Sequence, residues 1–395
     1  MVVILLSLKL FASDTILTNF TSTLYSPNSP MTLSPDGNLY GGTPGDTFNN
    51  KGGVYSWNLS TGTYSSVYVI PCCGATTLDD PQGPITYNSN GDTMYLTSAG
   101  TGLTGEHGAI WQLHWDGSTW VETTLYTFAG GNDGPGGGTS FSGVVVDPSG
   151  NLYGTANEGG GSSNCGGGCG YIFKLTSGGT FSHLHDFVGT DGAHPQSQLT
   201  LVGVNNVNGV VVLTLYGTTW DGGSNGDGTV FKYNVTTGTF TSLYNFAGGS
   251  DGANPSGGLL YESGSAIYGM TNHGGSHSDG TFYKLSGTTE TVLYSFGSGS
   301  DGKFPVGGLT DDGSGTFYGA TTLGGSSNKG TVVKFTPSGG SFTESVVYGF
   351  AGGSSDGDTP SAGVVYNGTT VYGSTQFGGT GSVDGHGAGV VYSIP

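Results

Sequence analysis

The sequence predicts an all-β protein, a seven-bladed β-propeller with four antiparallel strands per blade and a last blade closed by an N-terminal strand. Three observations predict it. A tyrosine-anchored unit recurs along the chain, each unit carries four short runs rich in β-branched and aromatic residues, and the two chain ends supply complementary parts of one unit.

The anchors are Tyr40, Tyr95, Tyr153, Tyr216, Tyr268, Tyr318 and Tyr372, separated by 55, 58, 63, 52, 50 and 54 residues. A unit of this length with four strands matches a propeller blade, whereas solenoid repeats are shorter or helical. Residues 14–395 are therefore read as one domain. In the fifth copy the four runs are "GGLLY", "AIYGMT", "GTFYKL" and "TVLYSF", divided by Gly, Ser, Asn and Asp clusters that make turns. Nothing has helical periodicity.

In chain order, residues 1–13 come first and are apolar. They read either as a leader, although Lys9 interrupts the run, or as an extra strand, because "LSLKLF" resembles the later "VVKF" and "FYKL". Next, "FTSTLYS" at 20–26 matches the fourth-strand run "FTSLYNF" of another copy. The first two blades are irregular, with "PCCGATTLDDPQGP" and "MYLTSAG". The last copy stops after "GVVY", "TVYGST" and "GVVYSI", so its fourth strand is expected from 20–26. A propeller must close its ring or expose sheet edges.

Eighty of the 395 residues are glycine, yet 22 Tyr, 19 Phe and 5 Trp are enough to fill a core. The net charge is −19, all eight cationic residues are lysine, and arginine is absent. Nucleic acid is thereby an improbable partner, as are ligands that need a bidentate guanidinium. No run is long enough for a membrane helix. The sparse acidic surface suits an extracellular or cell-surface location.

Two stretches, "GTVFKYNVTTGTFTSLYNFAGGSDGANPSGGLLY" and "GGLTDDGSGTFYGATTLGGSSNKGTVVKF", resemble the GloVer tandem-repeat proteins, which are bacterial and secreted. The resemblance extends over 36–395 and is strongest after residue 150. It implies export and a propeller-like repeat. It implies no established activity, so no catalytic residue is carried over.

Candidate sites follow from the strand order. Fourth-to-first and second-to-third connections emerge on one face, so Asp191, Asp251, Asp301 and Asp356 are expected to ring one opening. Such a ring has oxygen donors for calcium, although an Asp before Gly also makes a tight turn on its own backbone. The loop "NHGGSHSDG" places His273, His277 and Asp279 together. Its sister loops hold Asp221, Asn225 and Asp227 in the fourth copy and Leu323, Ser327 and Lys329 in the sixth. The glycines recur while the side chains vary, which reads as a fixed turn with a variable surface. Trp220 is the aromatic candidate for stacking on a sugar ring. His107 and His386 are further rim candidates.

Cys165 and Cys169 in "CGGGC" are expected to form a disulfide, with Cys72 and Cys73 as a second local pair and other connectivities open. Sequons occur at Asn19, Asn58, Asn234 and Asn367, all assigned to the face opposite the aspartates. The functional expectation is an extracellular, non-enzymatic structural or interaction module, with self-assembly into a surface or fibre subunit through the apolar head. A glycan-binding, lectin-like propeller is the alternative, and a carbohydrate-active enzyme is less favoured.

Overall fold

The computed structural model describes residues 15–20, 26, 27, 29–44, 52–70, 80–99, 107–133, 141–205, 211–262, 264, 266–381 and 387–395. Seven antiparallel sheets form a ring; six have their strands side by side in chain order, and the seventh runs from Gly357–Pro360 and Val365–Tyr366 through Val371–Gly378 and Val390–Ile394 to the N-terminal Thr15–Asn19. Blade 4 holds Thr200–Asn205, Val211–Thr219, Thr229–Asn234 and Thr239–Asn245. Blade 5 holds Ala253–Glu262, Ala266–His273, Thr281–Ser286 and Thr289–Ser295. Blade 6 holds Gly302–Asp311, Phe317–Gly324, Thr331–Ser338 and Ser341–Gly349. Among the described residues the only helical pieces are single 3-10 turns at Gly131–Asp133, Gly249–Asp251 and Gly353–Ser355.

The anchor tyrosine lies on the second strand and pairs with the third. Tyr153, Tyr216, Tyr268 and Tyr318 lie opposite Lys174, Lys232, Lys284 and Lys334. In three of these pairs the ammonium stands 5.5 Å from the tyrosine ring centroid, so the repeated lysine covers an aromatic face. The residue after the anchor is usually glycine for a packing reason. A Cβ on Gly154 or Gly217 would meet the ring of Phe173 or Phe231 at 2.5 Å.

The hydrophobic core lies between blades rather than within them. Seven buried clusters are found, each spanning one junction. Between blades 3 and 4, for example, Tyr153, Ile172 and Phe187 meet Leu199, Leu215 and Phe231. Removing such a ring to alanine typically costs about 3–5 kcal/mol.

Closure of the ring follows the expected plan with a corrected register. The fourth strand of blade 7 is Thr15–Asn19, paired with Val390–Ile394, and not the segment 20–26. Phe20 N–H donates to the Gly389 carbonyl at 3.2 Å, as Phe246 does to Gly228 at 3.0 Å and Phe296 to Gly280 at 2.9 Å. Phe20 is thus the counterpart of Phe246, which ends "FTSLYNF", and not of Phe240, which begins it. Burial decides the matter, because Phe20 is 2% exposed and meets Tyr55 edge-on at 5.0 Å. Residues 1–13, with the leader and the self-association expectation they carry, lie outside the described residues.

Candidate functional site

The aspartates of the fourth-to-first connections are each bonded within their own turn. Tyr126, Tyr244, Tyr294 and Tyr348 on fourth strands donate their hydroxyls to Asp133, Asp251, Asp301 and Asp356 at 2.7, 2.9, 2.6 and 3.0 Å. The same carboxylates accept the backbone N–H that follows the buried phenylalanine, from Ala129, Ala247, Gly297 and Ala351. Blade 3 replaces tyrosine with His185, whose Nε2 lies 2.9 Å from Asp191, and Val188 N–H completes the pair. Burial pushes the Asp191 carboxyl upward, but the His185 ring and Val188 N–H more than offset this and hold it below its ordinary value.

No group of three or more His, Cys, Asp or Glu side chains converges among the described residues. The calcium expectation for Asp191, Asp251, Asp301 and Asp356 is therefore left without an assembled ligand set there. Two glutamates not singled out in the sequence add to this picture. Glu290 and Glu344, on the fourth strands of blades 5 and 6, face Asp251 and Asp301 respectively. Burial and then the neighbouring aspartate push each up to about 7.

A second repeated device joins the blades. Ser26, Asp80, His194, Asn254, Phe304 and Thr359 each precede a proline and take positive φ, at 49°, 36°, 52°, 54°, 55° and 58°. Five of them donate their N–H to a loop of the preceding blade. His194 bonds the Cys169 carbonyl, Asn254 that of Asp227, Phe304 that of Asp279, Thr359 that of Lys329, and Ser26 that of Ala388. The side chain at this position differs at each junction. A bulky or β-branched residue there, as at Phe304 and Thr359, is a genuine conformational outlier.

The loop between the second and third strands of blade 5 is shaped by threonines. Thr271 Oγ1 donates to the His273 carbonyl at 2.8 Å and pairs with Thr281 Oγ1 at 2.8 Å; Thr219 with Thr229 and Thr321 with Thr331 repeat the arrangement. Of the residues proposed there, Asp279 is paired with Lys303 at 3.1 Å, across the junction to blade 6. His277 turns to Ser276 at 3.0 Å. Asp221 is held by His194 at 3.0 Å, with the Asn254 amide at 3.5 Å. His273 and Trp220 meet edge to face at 6.3 Å.

Trp220 also lines the central opening, a funnel of about 670 Å³. Its walls are the first strands of the blades, and its polar groups are amides and hydroxyls: Gln82, Gln196, Gln198, Asn272, Ser256 and Ser361. None of the described residues that line it is ionisable. Gln198, two residues before the first strand of blade 4, corresponds to Gly258 on the first strand of blade 5 and Gly308 on that of blade 6. Its amide donates to the Val144 carbonyl at 3.0 Å and to Thr86 Oγ1 at 3.2 Å, crossing blade 3 to reach blade 2.

Cys165 and Cys169 are joined by a disulfide; Cys72, Cys73 and His386 lie outside the described residues. Asn58, Asn234 and Asn367 use their side-chain oxygens to bond turn N–H groups. Asn19 corrects its assigned face: it ends the closing strand, and its oxygen accepts from Thr380 N–H at 2.9 Å, on the side of the aspartate clasps.

A ring of seven four-stranded sheets around a neutral funnel defines a β-propeller with a central ligand-sized opening. Within that class, residues 6–213 and 204–388 match the model of the Gloeobacter/Verrucomicrobia repeat, and the chain belongs to this family. No curated protein matches the chain. Among solved structures it is similar to the hydrazine synthase of Kuenenia stuttgartiensis, at 13% identity and a TM-score of 0.53, over 91% of this chain and 95% of that one. It is also similar to the GH74 xyloglucanase of Xanthomonas campestris, at 11% identity and a TM-score of 0.54, over 92% of this chain and 52% of that one. At these identities the likeness is one of fold. No helix among the described residues is long and apolar enough to cross a membrane.

Proposed function

We propose that this protein is an extracellular, non-enzymatic binding module that takes an uncharged, polyhydroxylated ligand of the saccharide class in its central funnel. The observation that carries the reading is the funnel wall. Its described residues offer carboxamides, hydroxyls and one indole, and among them no ionisable side chain. Amides and hydroxyls both donate and accept, which suits sugar hydroxyls, and an indole face covers a sugar ring. A pocket of this size with a few convergent polar groups is a plausible binding site on general grounds.

The same wall argues against general acid–base chemistry in the funnel, since a glycosidic mechanism ordinarily needs two carboxyl groups flanking the scissile bond. The carboxylates of Asp251, Asp301 and Asp356 are engaged by Tyr244, Tyr294 and Tyr348 in their own turns. The Cys165–Cys169 disulfide supports an oxidising compartment.

The reading is tested by a broad array of neutral and charged glycans, run with and without calcium and followed by calorimetry on the hits. Binding of neutral sugars that Trp220→Ala weakens supports it. Silence across the array, or a response confined to anionic glycans, would sink it.

A further inference from the structure

The aromatic groups do not stop at the funnel. Trp220 stands at its wall, at the end of the second strand of blade 4. The His273 ring, at the end of the second strand of blade 5, lies 6.3 Å from it. The Phe304 ring, on the first strand of blade 6, lies 5.3 Å beyond His273. The three rings form one row across three consecutive blades, beginning at Trp220 in the wall of the opening and following the ring from blade 4 to blade 6. His194, Asp221 and Asn254 flank its inner end, with Asn254 Nδ2 also bonding the Trp220 carbonyl at 3.0 Å.

Phe304 supplies a second, independent observation. It holds a phenylalanine at φ 55°, where glycine would sit without steric cost. The local fold needs only its backbone N–H, which bonds the Asp279 carbonyl at 2.9 Å, and the proline that follows. A strained bulky residue whose side chain is not needed for the junction points to a role for that side chain.

We propose that this row is an extended subsite for successive units of a neutral oligosaccharide, so that the ligand is a chain that enters the funnel at one end and lies across blades 4 to 6. The inference rests on the reading of the funnel as a saccharide site. The centroids are spaced comparably to successive units in a pyranose chain, and the rings, set at 86° and 53° to one another, offer apolar edges and faces in turn to an uncharged sugar. Both flanking carboxylates already have partners, Asp221 the His194 ring and Asp279 the Lys303 ammonium.

The experiment is calorimetry with gluco-, manno-, galacto- and xylo-oligosaccharide ladders of one to six units. Affinity should rise with length for the accepted sugar and then level off. Phe304→Gly, which relieves the backbone and should keep the fold, is expected to lower affinity for the longer chains about three- to tenfold while leaving the single sugar unchanged. His273→Ala should do the same at intermediate length. Length-independent binding by the wild type, or Phe304→Gly binding long chains as the wild type does, overturns the row and leaves the funnel reading standing. Failure of every ladder at every length overturns the funnel reading itself, and the row with it.

Discussion

The Cδ atom of Pro305 sits against Gly280 so closely that a Cβ on that glycine would come within 2.5 Å of it. Gly280 also has a φ of 105°, outside the range of ordinary side chains. The contact recurs between Pro255 and Gly228 and between Pro195 and Gly170, each at 2.6 Å by the same measure. Each places the start of one blade on the loop of the blade before it.

Gly280→Ala should therefore be severely destabilising, since it adds steric overlap to a forbidden backbone. A loss of roughly 2–4 kcal/mol is expected from the two effects together. Urea denaturation with intact secondary structure and a midpoint within error of the wild type would show that the junction tolerates a side chain.

The clasp between Tyr294 and Asp301 is a charge-assisted hydrogen bond to a nearly buried carboxylate. Tyr294→Phe keeps the ring and removes the donor, and should cost about 1.5–3 kcal/mol. The loss should be the same with calcium or with chelator present. A calcium-dependent difference in Tm between wild type and variant would mean that the carboxylate serves a metal rather than the turn.

Stability should fall as pH rises through the neutral range. Glu290 and Glu344 are pushed up to about 7 in the folded chain, against 4.5 in the unfolded reference. Between these values the folded state binds more protons than the unfolded state, so raising the pH removes stabilisation. Glu290→Gln with Glu344→Gln should flatten the profile of Tm between pH 5 and 8. If the double variant retains the wild-type slope, the neutral-range dependence lies elsewhere.

Breaking the Cys165–Cys169 disulfide should cost about 2 kcal/mol, the chain-entropy value for so short a loop. Cys165→Ser with Cys169→Ser and the reduced wild type should agree in their denaturation midpoints. A reduced wild type as stable as the oxidised one would make the bridge neutral.

Much of the architecture was legible because it is local or periodic. The anchor tyrosines, the four runs per unit and the incomplete last copy all lie within short windows, so a ring of seven blades with a borrowed strand could be read directly. The loop between the second and third strands was legible in the same way: comparing Asp221, His273 and Leu323 shows a fixed turn with a variable tip, and the threonine pairs now give the turn its cause. The clasps also carry a signal in the sequence. A tyrosine two residues before a phenylalanine, with an aspartate seven positions after the tyrosine, recurs at Tyr244 and Asp251 and at Tyr294 and Asp301.

What the sequence by itself determined was the repeat, the strand content and the face on which the variable loops stand, because these depend on residues close together in the chain. The tertiary structure decided three further things. Burial against Tyr55 chose Thr15–Asn19 over residues 20–26 as the closing strand, because both stretches have strand-forming composition and only packing separates them. The pre-proline residues from Ser26 to Thr359 take a conformation their own side chains disfavour, and only a carbonyl on the neighbouring blade makes it worthwhile. The neutral funnel is assembled from first strands tens of residues apart, so the meeting of Gln82, Gln198, Trp220 and Ser361 is a property of ring closure alone.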